Sequence, residues 1–290
     1  MKKFLLKILP KLKIAICLAL CISVCVAVPS MAFTKTSKNA AADEKAVLRI
    51  WQIDSFEGGK GSHADFLQAI GDDFAGIGGS YVSVVSLSAD AARFNLGAGN
   101  IPDLISYGAG VYGIENFISG YSVWCHGGYC LLTLDTSADF ADVNIDNTVI
   151  NEGKENYVGV AALFCGIAGA DCEKSTTAYV SLINGKYKYL LGTQRDIFRL
   201  KTRGVSFAVK PVTDFNDLYQ NISITAEAER ATLAQRFCDY LLSRTNEVSR
   251  VGMFDTRSSL YDDELKAMEG LSYDYKIVSP ISASARQRIN

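Results

Sequence analysis

SLINGKYKYLLGTQRDIFRL, residues 181–200, carries the features that decide the fold. The dipeptide Asn184-Gly185 predicts a turn, because both residue types tolerate positive φ. The aromatic and aliphatic run 187–191 predicts a buried strand, and Gly192 ends it. A polar cluster follows: Thr193, Gln194, Arg195 and Asp196. Such a strand end either presents a ligand site on a rigid scaffold or enters a solvated loop, and local chemistry favours neither.

This stretch resembles the F-x-x-G-K-x-A-M-x-x-x-G-x-W region of the sugar-binding extracellular solute-binding proteins that serve ABC importers. The matching residues are Leu182, Gly185, Lys186, Tyr189, Leu190 and Arg195. In that family the strand belongs to the C-terminal lobe, and the residue at the Trp position lines a cleft between two lobes. The resemblance therefore implies that Arg195 lines the cleft, with Gln194 beside it. Arg supplies a fork of hydrogen-bond donors where the family has a stacking face.

Residues 47–107 alternate between strand and helix patterns, which predicts a βαβ lobe with parallel strands. The segment 99–105, GNIPDLI, resembles the G-x-x-P-D-hydrophobic signature of the family's N-terminal lobe. In open α/β sheets the ligand lies beyond the carboxyl ends of the strands. By that rule Gln52, Asp54 and Tyr107 are candidate cleft residues.

The chain beyond residue 120 adds two more candidates. Residues 121–132 are interpreted as the strand that enters the second lobe, where Trp124 either stacks on a sugar ring or packs in a core. Residues 207–212 resemble the family's return strand, and Tyr219 follows it. The expected lobes are 47–117 with 220–255, and an abridged 118–219 with 256–290. The ligand-contact set is Gln52, Asp54, Tyr107, Trp124, Gln194, Arg195 and Tyr219.

The resemblance implies an α/β fold of the two-lobe, periplasmic-binding-protein-like type II class, with a hinge and an interlobe cleft. It also implies the substrate-binding component of an ABC transporter, which closes on a carbohydrate or small polar solute. Such a protein is a monomer without cofactor, metal or catalytic residues, and its partner is a membrane permease. Two alternatives stay open: an exported glycoside hydrolase that uses two carboxylates, and a non-transport sensor or degenerate binding protein.

The N-terminus predicts export. Residues 1–32 combine five lysines, an apolar core and small residues before a cleavage point, as secretory signals do. Residues 33–45 are polar and predict a tether. Cys17, Cys21 and Cys25 lack a clear lipoprotein context, so an extracellular and a membrane-associated location both stay open. Removal of the signal leaves 24 basic and 31 acidic residues, a net charge of −7, which argues against nucleic acid as a partner.

Five cysteines follow the signal, and export permits disulfides. Cys125 with Cys130, and Cys165 with Cys172, are close enough in sequence to close short loops, whereas Cys238 suits a helix core. The Cys-His-x3-Cys spacing at 125–130 is not a zinc pattern. The G-x-G-x-x-G match at 108–113 follows the third strand and precedes no long helix, so it favours a linker between lobes over a dinucleotide site.

Overall fold

The computed structural model describes residues 46–78 and 80–269. Five strands form the first sheet: β1 (Val47–Ile53), β2 (Tyr81–Leu87), β3 (Leu104–Gly108), β4 (Ser122–His126) and β10 (Tyr219–Ile224). Their order is β2-β1-β3-β10-β4. β1 pairs parallel with β2 and β3, whereas β10 runs antiparallel between β3 and β4. The late strand β10 therefore returns the chain to the first sheet.

Helices cover this sheet and confirm the predicted βαβ order. They are α1 (His63–Gly78), α2 (Ala89–Gly97) and α6 (Ala231–Ser243), with short 3-10 helices at Glu115–Phe117 and Thr245–Val251. The expected apolar face of α1 is buried: Phe66, Leu67, Ile70 and Phe74. Ser88 caps α2 by accepting a hydrogen bond from the Ala91 amide at 3.2 Å.

Five more strands form the second sheet: β5 (Tyr129–Thr133), β6 (Thr148–Asn151), β7 (Asp171–Glu173), β8 (Tyr189–Thr193) and β9 (Ala208–Pro211). Their order is β7-β6-β8-β5-β9, with β6 parallel to both β7 and β8. The helices of this lobe are α3 (Val158–Phe164), α4 (Ser175–Ile183), α5 (Gln194–Thr202) and α7 (Lys266–Glu269). Each lobe is thus a mixed sheet with helices, as the α/β class predicts.

The stretch 181–200 forms the last turns of α4, strand β8 and helix α5. The turn at Asn184-Gly185 is confirmed, since Asn184 caps the C-terminus of α4 and Gly185 has a φ of +69°. The polar cluster opens a helix, not a solvated loop. Thr193 and Asp196 form a capping box there, in which the side chain of each residue accepts a hydrogen bond from the backbone amide of the other.

The chain passes between the lobes at three places: Gly127-Gly128 between β4 and β5, residues 212–218 between β9 and β10, and residues 252–255 after the second 3-10 helix. The Phe254 and His126 amides each donate to the other's carbonyl, which ties the third crossing to the first. Gly127 N also donates to Leu218 O at 2.7 Å. The three crossings are therefore hydrogen-bonded to one another.

Sheet membership corrects the expected lobe boundaries. β4 and Tyr219 were expected in the second lobe, but both lie in the first sheet, because β10 pairs with β3 on one side and with β4 on the other. The first crossing is therefore at Gly127-Gly128, about ten residues later than expected. From the expected segment 256–290, Leu265 and Met268 pack in the core of the second lobe, and residues 270–290 lie outside the described part.

The expected signal 1–32 and tether 33–45 also lie outside the described residues. Within residues 46–78 and 80–269, no helix is both long and apolar enough to cross a membrane. The five cysteines that follow the expected signal, including the four considered for disulfides, are all free thiols in the structure. Cys125, Cys130 and Cys238 are buried, and burial raises the pKa of all three thiols.

Candidate functional site

A cleft lies between the two lobes and contains two adjoining cavities of about 730 Å³ and 340 Å³. The first lobe contributes residues 54–63, which follow β1. The second lobe contributes the segments that follow β6, β7 and β8, namely 151–158, 174–180 and 192–203. The cleft thus lies where the carboxyl ends of strands from both sheets meet, as expected for open α/β sheets. Its size falls in the range of small-molecule sites.

Basic side chains dominate the larger cavity. Its charged lining consists of Lys60, Lys154, Arg195, Arg199 and Arg203 against Asp54 and Glu57. Three aromatic side chains also line it: Phe56, Tyr179 and Phe198. A chain that is acidic after removal of the expected signal therefore concentrates positive charge in its cleft. Such a cavity attracts anionic groups and offers aromatic faces for apolar surfaces of a solute.

Glu57 reaches across the cleft from the first lobe to the second. Its Oε2 lies 2.8 Å from Arg195 Nε and 3.9 Å from Arg199 Nη2. The same oxygen accepts a hydrogen bond from Ser175 Oγ at 3.2 Å. Ser175 is the first residue of α4, where unpaired backbone amides favour negative charge. A carboxylate of one lobe is thus held by a basic group of the other.

Asp196 fixes the position of Arg199 beneath this contact. Its carboxylate is fully buried and lies 3.0 Å from Arg199 Nη1. It also accepts hydrogen bonds from Asn151 Nδ2 at 3.3 Å and from the Thr193 amide at 3.2 Å. Burial raises the pKa of Asp196, and the nearby Arg199 opposes that rise. Arg199 Nη1 then donates to Ser175 Oγ at 3.0 Å, so the arginine is aimed at the cleft.

The lobes touch on both sides of the cleft. On one side the Glu155 amide of the second lobe donates to Ser55 O of the first at 2.9 Å, and Gly110 lies against the Glu155 carbonyl. On the other side the Phe198 ring lies against Gly59 and Gly252. These contacts describe a closed arrangement of the two lobes.

No family model and no curated protein matches the sequence. Solved structures do match. Iron-bound HitA from Pseudomonas aeruginosa aligns with a TM-score of 0.59 and 11% identity, over 84% of this chain and 99% of that chain. The periplasmic binding protein AfuA from Actinobacillus pleuropneumoniae, with fructose-6-phosphate bound, aligns with a TM-score of 0.57 and 13% identity, over 85% and 97%.

This chain has the two-lobe type II periplasmic-binding-protein fold. A two-component system protein that mediates signal transduction has it too, with a TM-score of 0.61 and 11% identity, over 84% of this chain and 100% of that chain. Identities this low establish the fold alone. The sugar-binding branch suggested by residues 181–200 stays a hypothesis, since the matching structures hold different ligands, iron in one and fructose-6-phosphate in another.

Within the binding-protein fold, two of the seven expected contact residues line the cleft. Arg195 does so at the start of α5, where it also donates from Nη1 to Gly58 O at 3.2 Å. Asp54 does so after β1, where its carboxylate accepts a hydrogen bond from Ser86 Oγ at 2.6 Å. The end of β8 therefore delivers Arg195 to the gap between the lobes.

Gln52 and Trp124 lie in the first lobe's interior instead. Both are fully buried and share Ser106 as a neighbour: Trp124 Nε1 donates to Ser106 Oγ at 3.1 Å, and Gln220 links Ser106 to Gln52. The Trp124 ring stacks on Phe66 with centroids 5.5 Å apart. The stacking role proposed for Trp124 is therefore corrected to core packing, and Gln52 is a member of a buried polar network.

The other three expected contacts also lie away from the cavity linings. Tyr107 is buried on the α2 side of the first sheet, with its hydroxyl 3.4 Å from Ser223 Oγ. Gln194 is buried at the hinge, where its Oε1 accepts from the Gly128 amide at 3.0 Å. Tyr219 is buried beside His126, at the second crossing. Gln194 and Tyr219 therefore support the hinge and do not line the cavities.

Replacing Trp124 tests this correction. Trp124→Phe is expected to lower the free energy of unfolding by about 2 kcal/mol, because it removes ring volume from a full core and a hydrogen bond to Ser106. Affinity for any cleft solute should stay at the wild-type value. Urea unfolding and calorimetry on the same variant measure both. If the variant lost affinity while its stability stayed unchanged, Trp124 would belong to the binding site and the core-packing assignment would be wrong.

Sequence patterns did not mark many other cleft residues, among them Glu57, Lys60, Lys154, Ser175, Phe198 and Arg199. Lys154 and Ser175 follow β6 and β7, which have only four and three residues. The rule that ligands lie beyond strand ends selects both, once these strands are located. The signal was thus present, but strands this short give too little periodicity to be recognised.

Proposed function

We propose that the protein is the substrate-binding component of an ABC importer, which holds a small polar solute between its lobes and presents it to a membrane permease. The observation that carries this proposal is a cavity of about 730 Å³ lined by both lobes and bordered by direct contacts between them. A solute that contacts both lobes binds the closed arrangement better than the open one. The expected signal at 1–32 supports action outside the cytoplasm.

A carbohydrate-like solute suits the lining. Tyr179, Phe56 and Phe198 supply faces for the apolar side of a sugar ring, and Asp54 and Arg195 supply hydrogen-bonding groups. Five basic side chains disfavour a bare metal cation. Within the described residues, no three His, Cys, Asp or Glu side chains are grouped to hold one.

The hydrolase alternative receives less support from the geometry. A glycosidase places two carboxyl groups on opposite sides of the scissile bond. The carboxylates of the larger cavity, Asp54 and Glu57, come from one loop of one lobe. Glu57 is moreover engaged by Arg195 and Ser175. We therefore propose binding without catalysis.

A sensor role is the second candidate. It is favoured by the two-component system protein with the same fold, whose alignment covers the whole of that chain. A sensor and an importer subunit share the step of solute binding and differ in the protein that the closed form contacts. Both therefore predict a solute-dependent change in the separation of the lobes.

Calorimetry of the purified protein against a panel of sugars and sugar derivatives tests the proposal, with product analysis on the same samples. Saturable binding without product supports it, and small-angle X-ray scattering should show that the bound form is more compact than the free form. Product formation would assign the chain to the hydrolases. If no solute in the panel bound to the protein or made it more compact, the solute-binding proposal would be wrong.

A further inference from the structure

Glu57 is surrounded by the groups that typically bind an anion, and its own carboxylate is the anion that they bind. One carboxylate oxygen lies against Arg195 Nε at 2.8 Å, Ser175 Oγ at 3.2 Å and Arg199 Nη2 at 3.9 Å. All three partners belong to the second lobe, whereas Glu57 comes from a loop of the first. The carboxylate is therefore separate in the fold from the group that binds it.

Two members of the group, Arg199 and Ser175, are organised independently of Glu57. Arg199 is held by the buried Asp196, and it donates to Ser175 Oγ. Asn151 Nδ2 also donates to Ser175 Oγ at 3.3 Å, so this hydroxyl is positioned from two sides. These bonds lie within the second lobe and do not need the first. Departure of Glu57 would leave Arg199 and the Ser175 hydroxyl in place, with Arg195 beside them on the same helix as Arg199.

The position is accessible to a solute. The side chains of Arg195, Arg199 and Glu57 are 31%, 22% and 28% exposed, and all three line the larger cavity. An ion pair with this exposure contributes little net stabilisation, because solvent screens it. A phosphate carries more charge than a carboxylate and has three strong acceptor oxygens, and arginine pairs with it in a bidentate way. Such a group can compete with Glu57.

We propose that Ser175, Arg195 and Arg199 form a subsite for the phosphate group of a phosphorylated solute, and that Glu57 is an internal anion that occupies this subsite until the solute displaces it. This inference rests on the proposed solute-binding function and narrows it to one ligand class. Lys60, Lys154 and Arg203 line the same cavity and add to its positive potential. Glu57 sets a threshold, since weak anions do not displace it.

Calorimetric titration with inorganic phosphate at pH 7.5 and low salt tests the proposal. Glu57→Gln removes the competing charge and should tighten phosphate binding by about tenfold or more relative to wild type. Glu247→Gln is the matched control, because Glu247 also pairs with two arginines, Arg244 and Arg250, and does not line either cavity. Its phosphate affinity should equal that of wild type.

Arg199→Gln in the Glu57→Gln background should cancel the gain, and thermal unfolding of each variant shows that its lobes are folded. Phosphate binding by Glu57→Gln that is no tighter than wild type, or an equal gain in Glu247→Gln, would overturn the subsite. A gain that survives Arg199→Gln would overturn it as well, because the phosphate then binds elsewhere.

Failure of the subsite and failure of the proposed function give different results. A neutral solute that compacts the protein, combined with no effect of Glu57→Gln on phosphate, removes the subsite and leaves solute binding in place. Tighter phosphate binding by Glu57→Gln, with no compaction by phosphate or any sugar phosphate, retains the anion subsite and removes the importer or sensor role.

Discussion

Lowering the pH from 7 to 5 is expected to reduce the free energy of unfolding by about 4 kcal/mol through two buried histidines, His63 and His126. Burial and, to a smaller extent, the charge of Lys154 lower the pKa of His63 from 6.5 to about 4. Burial also lowers the pKa of His126 to about 4, although hydrogen bonds to the Gly127 and Asp255 backbone oppose the shift. Both rings are therefore neutral in the folded protein at neutral pH.

The sign follows from proton uptake. Between pH 6.5 and 4 an unfolded histidine is protonated and a buried one is not, so the unfolded state binds more protons and acid favours it. The stabilisation is fully present above pH 6.5 and is lost as the pH falls towards 4. Because the pKa falls from 6.5 in the unfolded chain to about 4 in the folded protein, about 2 kcal/mol per histidine is already lost at pH 5.

Urea unfolding at pH 7, 6 and 5 measures the effect. His63→Gln and His126→Gln should each be less pH-dependent than wild type, by about 2 kcal/mol over this range. The raised pKa of Asp196 acts in the opposite direction, but it is present in all three proteins and cancels in their comparison. If both variants lost stability with falling pH as steeply as wild type, the two histidines would not be the groups whose protonation destabilises the protein.

The position of His126 gives this titration a local consequence. Its backbone pairs with Phe254 at the third crossing, and its Nδ1 donates to the Gly127 carbonyl at 2.9 Å. The ring also contacts Phe254, with centroids 5.2 Å apart. Protonation of this ring therefore acts on two of the three connections between the lobes. Acid should loosen the hinge before it unfolds either sheet.

Local patterns were sufficient for the elements of the first lobe. The apolar spacing of Phe66, Leu67 and Ile70 predicts α1 because a helix brings them to one face. The lobe assignment of β4 could not be predicted in this way. The sequence of Ser122–His126 predicts an apolar strand but does not show to which sheet it belongs. Its partner β10 is about a hundred residues further along the chain. Pairing over that distance is set by the whole fold, not by a local period.

The same distinction separates the expected residues that line the cleft from those that lie elsewhere. Asp54 and Arg195 follow strand ends, and a strand end fixes where the next residues lie. Gln52 and Trp124 are inside strands, where a side chain faces one side or the other with a period of two. Nothing in a polar Gln or an amphipathic Trp shows which side is the core. Glu57 was missed because its partners, Ser175 and Arg199, are more than a hundred residues away.

Gly110→Ala is expected to weaken solute binding by about a hundredfold or more while leaving both lobes folded. A Cβ at this position would lie 1.9 Å from the carbonyl oxygen of Glu155 and 2.9 Å from its carbonyl carbon. Both atoms are backbone of the opposite lobe, so no side chain can move aside. The alanine therefore destabilises the closed arrangement of the lobes relative to the open one. A change of about 3 kcal/mol in the closing equilibrium corresponds to a loss of about two powers of ten in affinity.

Gly97→Ala is the matched control, because a Cβ there meets no atom within 4 Å and the residue lies in helix α2. It should bind as wild type does and be slightly more stable, since alanine favours a helix over glycine. Scattering should show Gly110→Ala as the more extended protein, with thermal unfolding close to that of wild type. A Gly110→Ala protein that is as compact and binds as tightly as Gly97→Ala would mean that the contact with Glu155 is not part of the binding-competent form. The interlobe contact at Glu155 would then have no part in recognition of the solute.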